Sequence, residues 1–173
     1  MSVSVSEVVN SFSYLYASLW RKEFTKTLRP GEYSERELLP LLRFYLLGRF
    51  GDKVSPEVPG ILPGALRGSG RLDFLIGDVA VEFAVRRRYD RASTLRPEYQ
   101  ATEVKKLLKY DGKGVLILFD LSYSPLTLSV IREYRSLPAM GNHIKTSFHV
   151  AYFYRNENGG TDHIRRHVRI FRK

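Results

Sequence analysis

Cysteine is absent from the 173 residues, which excludes a disulfide framework, a thiolate metal centre and a cysteine nucleophile together. No uninterrupted apolar run approaches the roughly 18 residues that a membrane-crossing helix needs, so no membrane partner is expected. The opening MSVSVSEVVNSF has neither a basic start nor a compact apolar stretch, and does not read as a secretory signal. Gln occurs once, at Gln100, and Met twice, a scarcity of thermolabile side chains that points to a thermophilic host. Gly68-Ser69-Gly70 leads into a strand instead of a helix, and no G-x-S-x-G elbow occurs. Walker-type nucleotide hydrolysis and serine-hydrolase chemistry are therefore not expected. The expectation is a soluble, cytoplasmic chain.

What is plentiful is positive charge. Lys and Arg total 28 against 18 Asp and Glu, a formal net charge of +10, and Arg outnumbers Lys 19 to 9. The guanidinium fork grips phosphate bidentately, so the excess points to a polyanionic partner, most simply nucleic acid. Hydrophobic residues make up 43% of the chain, enough for a true core, and 22 aromatics supply bulk for it. Length favours one domain, read as an N-terminal helix (1–31), a core (32–122) and a C-terminal helix with strands (123–173).

Val5, Val8, Val9, Phe12, Leu15, Tyr16, Leu19 and Trp20 recur at helical spacing and predict a long helix ending near Leu28-Arg29-Pro30-Gly31. Ser34-Glu35-Arg36-Glu37 is a capping-box pattern ahead of Leu38, Leu41, Leu42, Tyr45 and Leu46, with Pro40 predicting a kink or a later start. The Pro- and Gly-rich stretch from Asp52 to Gly70 predicts irregular chain with one short edge strand. Arg71–Ile76 and Val79–Val85 alternate about Gly77-Asp78, the pattern of a tight hairpin. A helix over Pro97–Lys109, a fully buried strand Val115–Phe119, a helix over Pro125–Tyr134 and strands Phe148–Tyr154 and His163–Phe171 follow. The fold class is α/β, a mixed sheet flanked by helices on both faces.

The hairpin carries the chemistry. A two-residue turn at Gly77-Asp78 pairs Ile76 with Val79, Phe74 with Val81 and Leu72 with Phe83, an apolar face that pins the register. The other face then sets Asp73 opposite Glu82, with Cβ atoms about 4.5–5.5 Å apart. Like charges there repel, so a cation, a shared proton or an arginine must compensate. A hard ion such as Mg²⁺ suits the place because it takes one or two carboxylates and keeps water and phosphate in its other positions. Arg71 or Arg86 neutralising the pair is the structural alternative. Ala80 and Ala84 predict an uncluttered surface beside the acids.

Gly70-Arg71-Leu72-Asp73 and Val81-Glu82-Phe83-Ala84, followed by a helix and a core strand, resemble the PD-(D/E)XK nuclease superfamily, the restriction-endonuclease-like fold, over residues 34 to 122. The resemblance implies a deoxyribonuclease in which Asp73, Glu82 and the Phe83 carbonyl hold Mg²⁺ or Mn²⁺, cutting to a 5′-phosphate and a 3′-hydroxyl. It also implies an extra acid on the preceding helix, taken as Glu37. Ala84 stands where the family has its lysine. Arg86, Arg71, or Lys105 or Lys106 on the following helix are the replacements considered. The alternative function is a catalytically inactive nucleic-acid-binding module in a larger assembly; a third is a scaffold with merely ion-paired acids. Gln100 lies where some members place a glutamine, but without its aromatic partner.

Arg86, Arg87, Arg88, Arg91 and Arg96 leave the second acid's strand as a basic run suited to phosphates, and Arg71 lies across the hairpin. Arg165, His167, Arg169 and Lys173 share one face of the last strand, either a further nucleic-acid contact or a charged edge that blocks strand addition. His163, His167 and Asp162 are too far spread along a strand for a metal centre. Surplus apolar surface on the first helix would serve a homodimer.

Overall fold

The computed structural model describes residues 2–59, 70–137 and 146–170; Phe171 and Lys173, included in the sequence expectations, lie outside them. Six strands form one sheet in the order β1 (Val54–Val58), β2 (Leu72–Ile76), β3 (Val79–Arg86), β4 (Lys113–Asp120), β5 (Ser147–Arg155) and β6 (Thr161–Arg169). The β3–β4 and β4–β5 pairs are parallel and the others antiparallel. The sheet is mixed, as expected for the class.

Helix α1 (Val5–Leu19) buries Val5, Val8, Val9, Phe12, Tyr16 and Leu19, and a Ser4–Glu7 capping box closes its first turn. It ends earlier than the periodicity predicts, at Trp20, and a short α2 (Lys22–Thr27) follows. Among large apolar residues of α1, only Tyr14 is exposed; the apolar surplus sits on α3, at Leu41, Phe44 and Leu47. Helix α3 (Glu35–Phe50) continues through Pro40, which lies on an exposed turn with Arg36, so the carbonyl deprived of its N–H partner is on the solvent side. Pro56 sits in β1, an edge strand where a missing donor is tolerated.

The two parallel connections position everything else. A strand–helix–strand crossover is right-handed, so two successive crossovers moving the same way across the sheet lay their helices on one face. These are α4 (Ala101–Lys109) and α5 (Leu128–Glu133), packed over Ala80, Ala84, Leu116, Leu118, Val150 and Tyr152. Helices α1 and α3 cover the opposite face, where Phe12, Tyr16, Phe83, Phe119 and Phe153 form an aromatic cluster with centroids 5.0–6.4 Å apart, mostly edge-to-face. Ala80 and Ala84 are thus buried beneath α4, not part of an open surface: small side chains let the helix close down on β3.

The hairpin departs from ideal pairing where it matters. Val81, Ala80 and Val79 pair with Phe74, Leu75 and Ile76 as the sequence predicts, with Gly77 at φ +62° as the first turn residue, but the ladder stops there. Leu72 leaves the face of Phe74 and Ile76 and packs in the cluster under α4. The Phe83 N–H, which regular pairing would give to the Leu72 carbonyl, instead donates to Asp73 Oδ2 at 2.8 Å. The acids therefore meet where β2 parts from β3, not as a cross-strand pair in an unbroken ladder.

Arg86 is corrected from its expected site role. It is 6% exposed, and its Nη1 donates to Asp120 Oδ2 at 3.1 Å and to the Ser124 carbonyl at 3.0 Å. Asp120 also accepts from the Tyr152 hydroxyl at 2.7 Å and the Ser122 N–H at 3.0 Å. This buried network ties the ends of β3, β4 and β5 together. Asp120→Ala leaves an uncompensated buried guanidinium and should lower unfolding free energy by about 3–5 kcal/mol in urea denaturation. Tyr152→Phe, which leaves the ion pair in place, should cost about 1 kcal/mol.

Candidate active site

Glu82 lies in the middle of β3, on the face covered by α4, and is fully buried. Its Oε2 accepts from Lys106 Nζ at 2.7 Å, while Oε1 is buried with no hydrogen-bond partner. Lys106 and Glu103 stand one turn apart on the flank of α4 that faces β3, 3.7 Å from each other. Lys105 is turned away and exposed, so the residue that reaches the acids is its neighbour, Lys106. Lys106, on the helix that follows the hairpin, lies 24 residues downstream of Glu82 in the chain.

The third acid is likewise a neighbour of the expected one. Glu37 accepts from the Ser34 N–H at 2.7 Å and the Ser34 hydroxyl at 2.6 Å, and these hydrogen bonds hold its carboxyl below the usual range. It is the helix cap and takes no part in the acid cluster. Glu35, at the first position of α3, faces the cluster instead. Although open to solvent as a residue, its carboxyl is pushed up to about 7 by partial desolvation and by the charges of Asp73 and Glu103. A capping box commits its own glutamate, so the pattern Ser34–Glu37 was itself the sequence signal that Glu35 is the free acid.

Burial raises Asp73, against the pull of the Phe83 N–H and Lys106. Burial, then Asp73, raises Glu82 far more. Burial also pulls the Lys106 ammonium down, but Glu82, Asp73 and Glu103 outweigh it and hold its pKa above the ordinary value. Glu57 of β1 adds another nearby negative charge, partly offset by Arg43 at 3.4 Å. Four carboxyls, Asp73, Glu82, Glu35 and Glu103, thus share one ammonium.

That surplus and the orphaned Glu82 oxygen are what a hard divalent cation would satisfy. Among the described residues no group of three or more His, Cys, Asp or Glu side chains converges to hold a metal unaided. A site of two carboxylates, a backbone carbonyl at Phe83, water and substrate phosphate does not require one. The donor set is all oxygen, and it fits Mg²⁺ or Mn²⁺ better than a nitrogen- or sulfur-seeking ion.

The expected phosphate-binding arginines are dispersed. Arg71, Arg91, Arg96 and Arg169 are exposed. Arg87 is paired with Asp90 at 3.0 Å. Arg88 lies 4.5 Å over the Tyr123 ring, and Arg165 donates to the Ser6 hydroxyl at 2.6 Å. Gln100 is buried and donates to the Thr94 carbonyl at 2.9 Å, a structural contact. No helix among the described residues is long and apolar enough to cross a membrane.

Because Asp73, Glu82 and Glu35 all hold protons more tightly folded than unfolded, their stabilisation is complete below the ordinary carboxylate range. It is lost as pH rises, through about 7 for Glu35. His149, depressed to about 4 by burial, acts with the opposite sign between about 4 and its ordinary 6.5, so differences between variants isolate the acids. Asp73→Asn keeps an acceptor for the Phe83 N–H and removes a charge. Its metal-free melting temperature should match wild type near pH 4 and exceed it by about 2–4 °C at pH 8, and Mg²⁺ should raise wild type only. Glu35→Gln should flatten the wild-type decline between pH 6 and 8. Comparison with family models, with curated proteins and with solved structures gives no match to this chain.

Proposed function

We propose that this chain is a metal-dependent nuclease of the PD-(D/E)XK type that hydrolyses phosphodiester bonds of DNA. The observation that carries the proposal is Lys106 Nζ, 2.7 Å from Glu82 Oε2, on the site that a motif lysine at Ala84 would serve. Its placement favours an enzyme over an inactive binding module, because it brings an ammonium to the acids that Ala84 does not provide. The strand order, with a hairpin, a crossover helix and a buried parallel strand, supports the restriction-endonuclease-like reading of the α/β fold.

Asp73, Glu82 and the Phe83 carbonyl would hold Mg²⁺ or Mn²⁺. A bound divalent ion lowers the pKa of water and neutralises charge on a phosphate oxygen. The chain's own groups do the rest. Lys106, fixed by Glu82 and Glu103, presents a positive charge to the oxygen where negative charge builds in the transition state. Glu35, with a carboxyl poised near neutrality, accepts the proton released by the attacking water. The overall charge of +10 draws a polyanion toward a locally acidic centre.

Plasmid, branched and single-stranded DNA incubated with Mg²⁺ or Mn²⁺ should be cut to ends bearing 5′-phosphate. Asp73→Asn and Glu82→Gln should abolish cutting, and Lys106→Ala should slow it about 10²–10³-fold. Lys105→Ala and Glu37→Gln should leave the rate nearly unchanged. Retention of DNA binding without cleavage by wild type under every metal condition would overturn the enzyme reading.

A further inference from the structure

Arg132, Arg135 and Arg166 surround an open depression of about 460 Å³, floored in part by Ile131. Two elements bring them there. Helix α5 and the 3₁₀ turn after it anchor Ile131 and Tyr134 in the core, with the Tyr134 hydroxyl donating to the Leu95 carbonyl at 2.8 Å. Arg132 and Arg135 each follow an anchored residue, so both emerge on the same flank, exposed. Arg166 comes from β6, on the face shared with Val150. None of the three makes an ion pair among the described residues, and Glu133 between the first two forms none with them. Among the described residues, the one side-chain hydrogen bond of Arg166 is from Nη1 to the Arg165 carbonyl at 3.3 Å.

Three guanidinium groups about one concavity repel one another unless an anion lies between them. The sheet also relates this depression to the acids. Glu82 pairs with Leu116, Leu116 with Val150, and Val150 with Arg166, one cross-strand row on one face. Arg166 stands three strand spacings from Glu82, roughly 14 Å, on the far side of the layer formed by α4 and α5.

We infer that Arg132, Arg135 and Arg166 form a second phosphate-binding site that anchors the backbone of a nucleic acid away from the acid cluster. The inference extends the nuclease reading by giving the substrate a second point of attachment, but binding alone suffices to test it. A single mononucleotide cannot reach both places; a strand or duplex of several nucleotides can. The contacts are to phosphate, so they add affinity without sequence preference.

The test is fluorescence anisotropy of a 30-base-pair DNA duplex with the full chain in EDTA, across a salt series. Each phosphate contact contributes about 0.9 to the slope of log K against log salt. Replacing all three arginines with Gln should lower the slope by about 2–3, and Arg166→Gln alone, on an exposed strand position, by about 1. The single variant keeps the test open if the triple one fails to fold, as judged by circular dichroism. An unchanged slope in a folded variant overturns the inference, as does absence of DNA binding by wild type at low salt. If wild type fails to cut but its slope falls on substitution, the anchoring site stands and the nuclease reading falls.

Discussion

Carboxyl groups that outnumber the available ammonium set the terms for this molecule. Glu82 is sealed under α4, Asp73 sits where β2 peels away, and Lys106 serves both with one charge. Such an arrangement costs stability in a metal-free protein at neutral pH, because each carboxyl must ionise in an environment that disfavours its charge. Native folds accept such costs where a ligand restores the balance. The contrast with Arg86 and Asp120 is instructive: there, one buried acid meets a guanidinium, a phenol and backbone donors, and its oxygens are satisfied. One buried carboxylate has both oxygens satisfied; the other leaves Glu82 Oε1 without a partner.

The sheet explains how both coexist on one strand. Glu82, Ala84 and Arg86 alternate onto the same face of β3, separated by alanine. Ala84 allows α4 to approach closely, and that approach brings Lys106 over Glu82. A lysine at position 84 would occupy the ground that Leu72, Leu107 and their neighbours fill. An ammonium carried by the helix is thus consistent with tight packing between α4 and β3, an arrangement in which helix, strand and charge are set together.

Much of this was legible without coordinates. The alternation about Gly77-Asp78 identified the hairpin, and the apolar run at Val115–Phe119 identified a strand buried on both faces. That the two acids lie close together was legible too, from the hairpin pattern, although they meet beyond the end of the ladder and not in the register it implies. Less was legible about the break beyond the Phe74–Val81 pair, at Leu72 and Asp73, because the hydrogen bond from Phe83 to the Asp73 side chain competes with a regular ladder that local sequence equally permits. Arg86 misled for a similar reason: its strand position was right, but Asp120, 34 residues on, had already claimed it.

Periodicity, turn chemistry and capping are short-range effects, and by sequence alone they placed most helices and strands, set Asp73 and Glu82 on neighbouring strands and marked Ser34–Glu37 as a capping box; they did not settle where α1 ends or that Glu37 stays out of the acid cluster. Which cation serves the acids, and which helix residue overlooks them, only the tertiary structure decided. Lys106 and Lys105 differ in composition by nothing; they differ in azimuth about a helix axis. That angle is set by how α4 settles on the sheet, through contacts with residues far away in the chain.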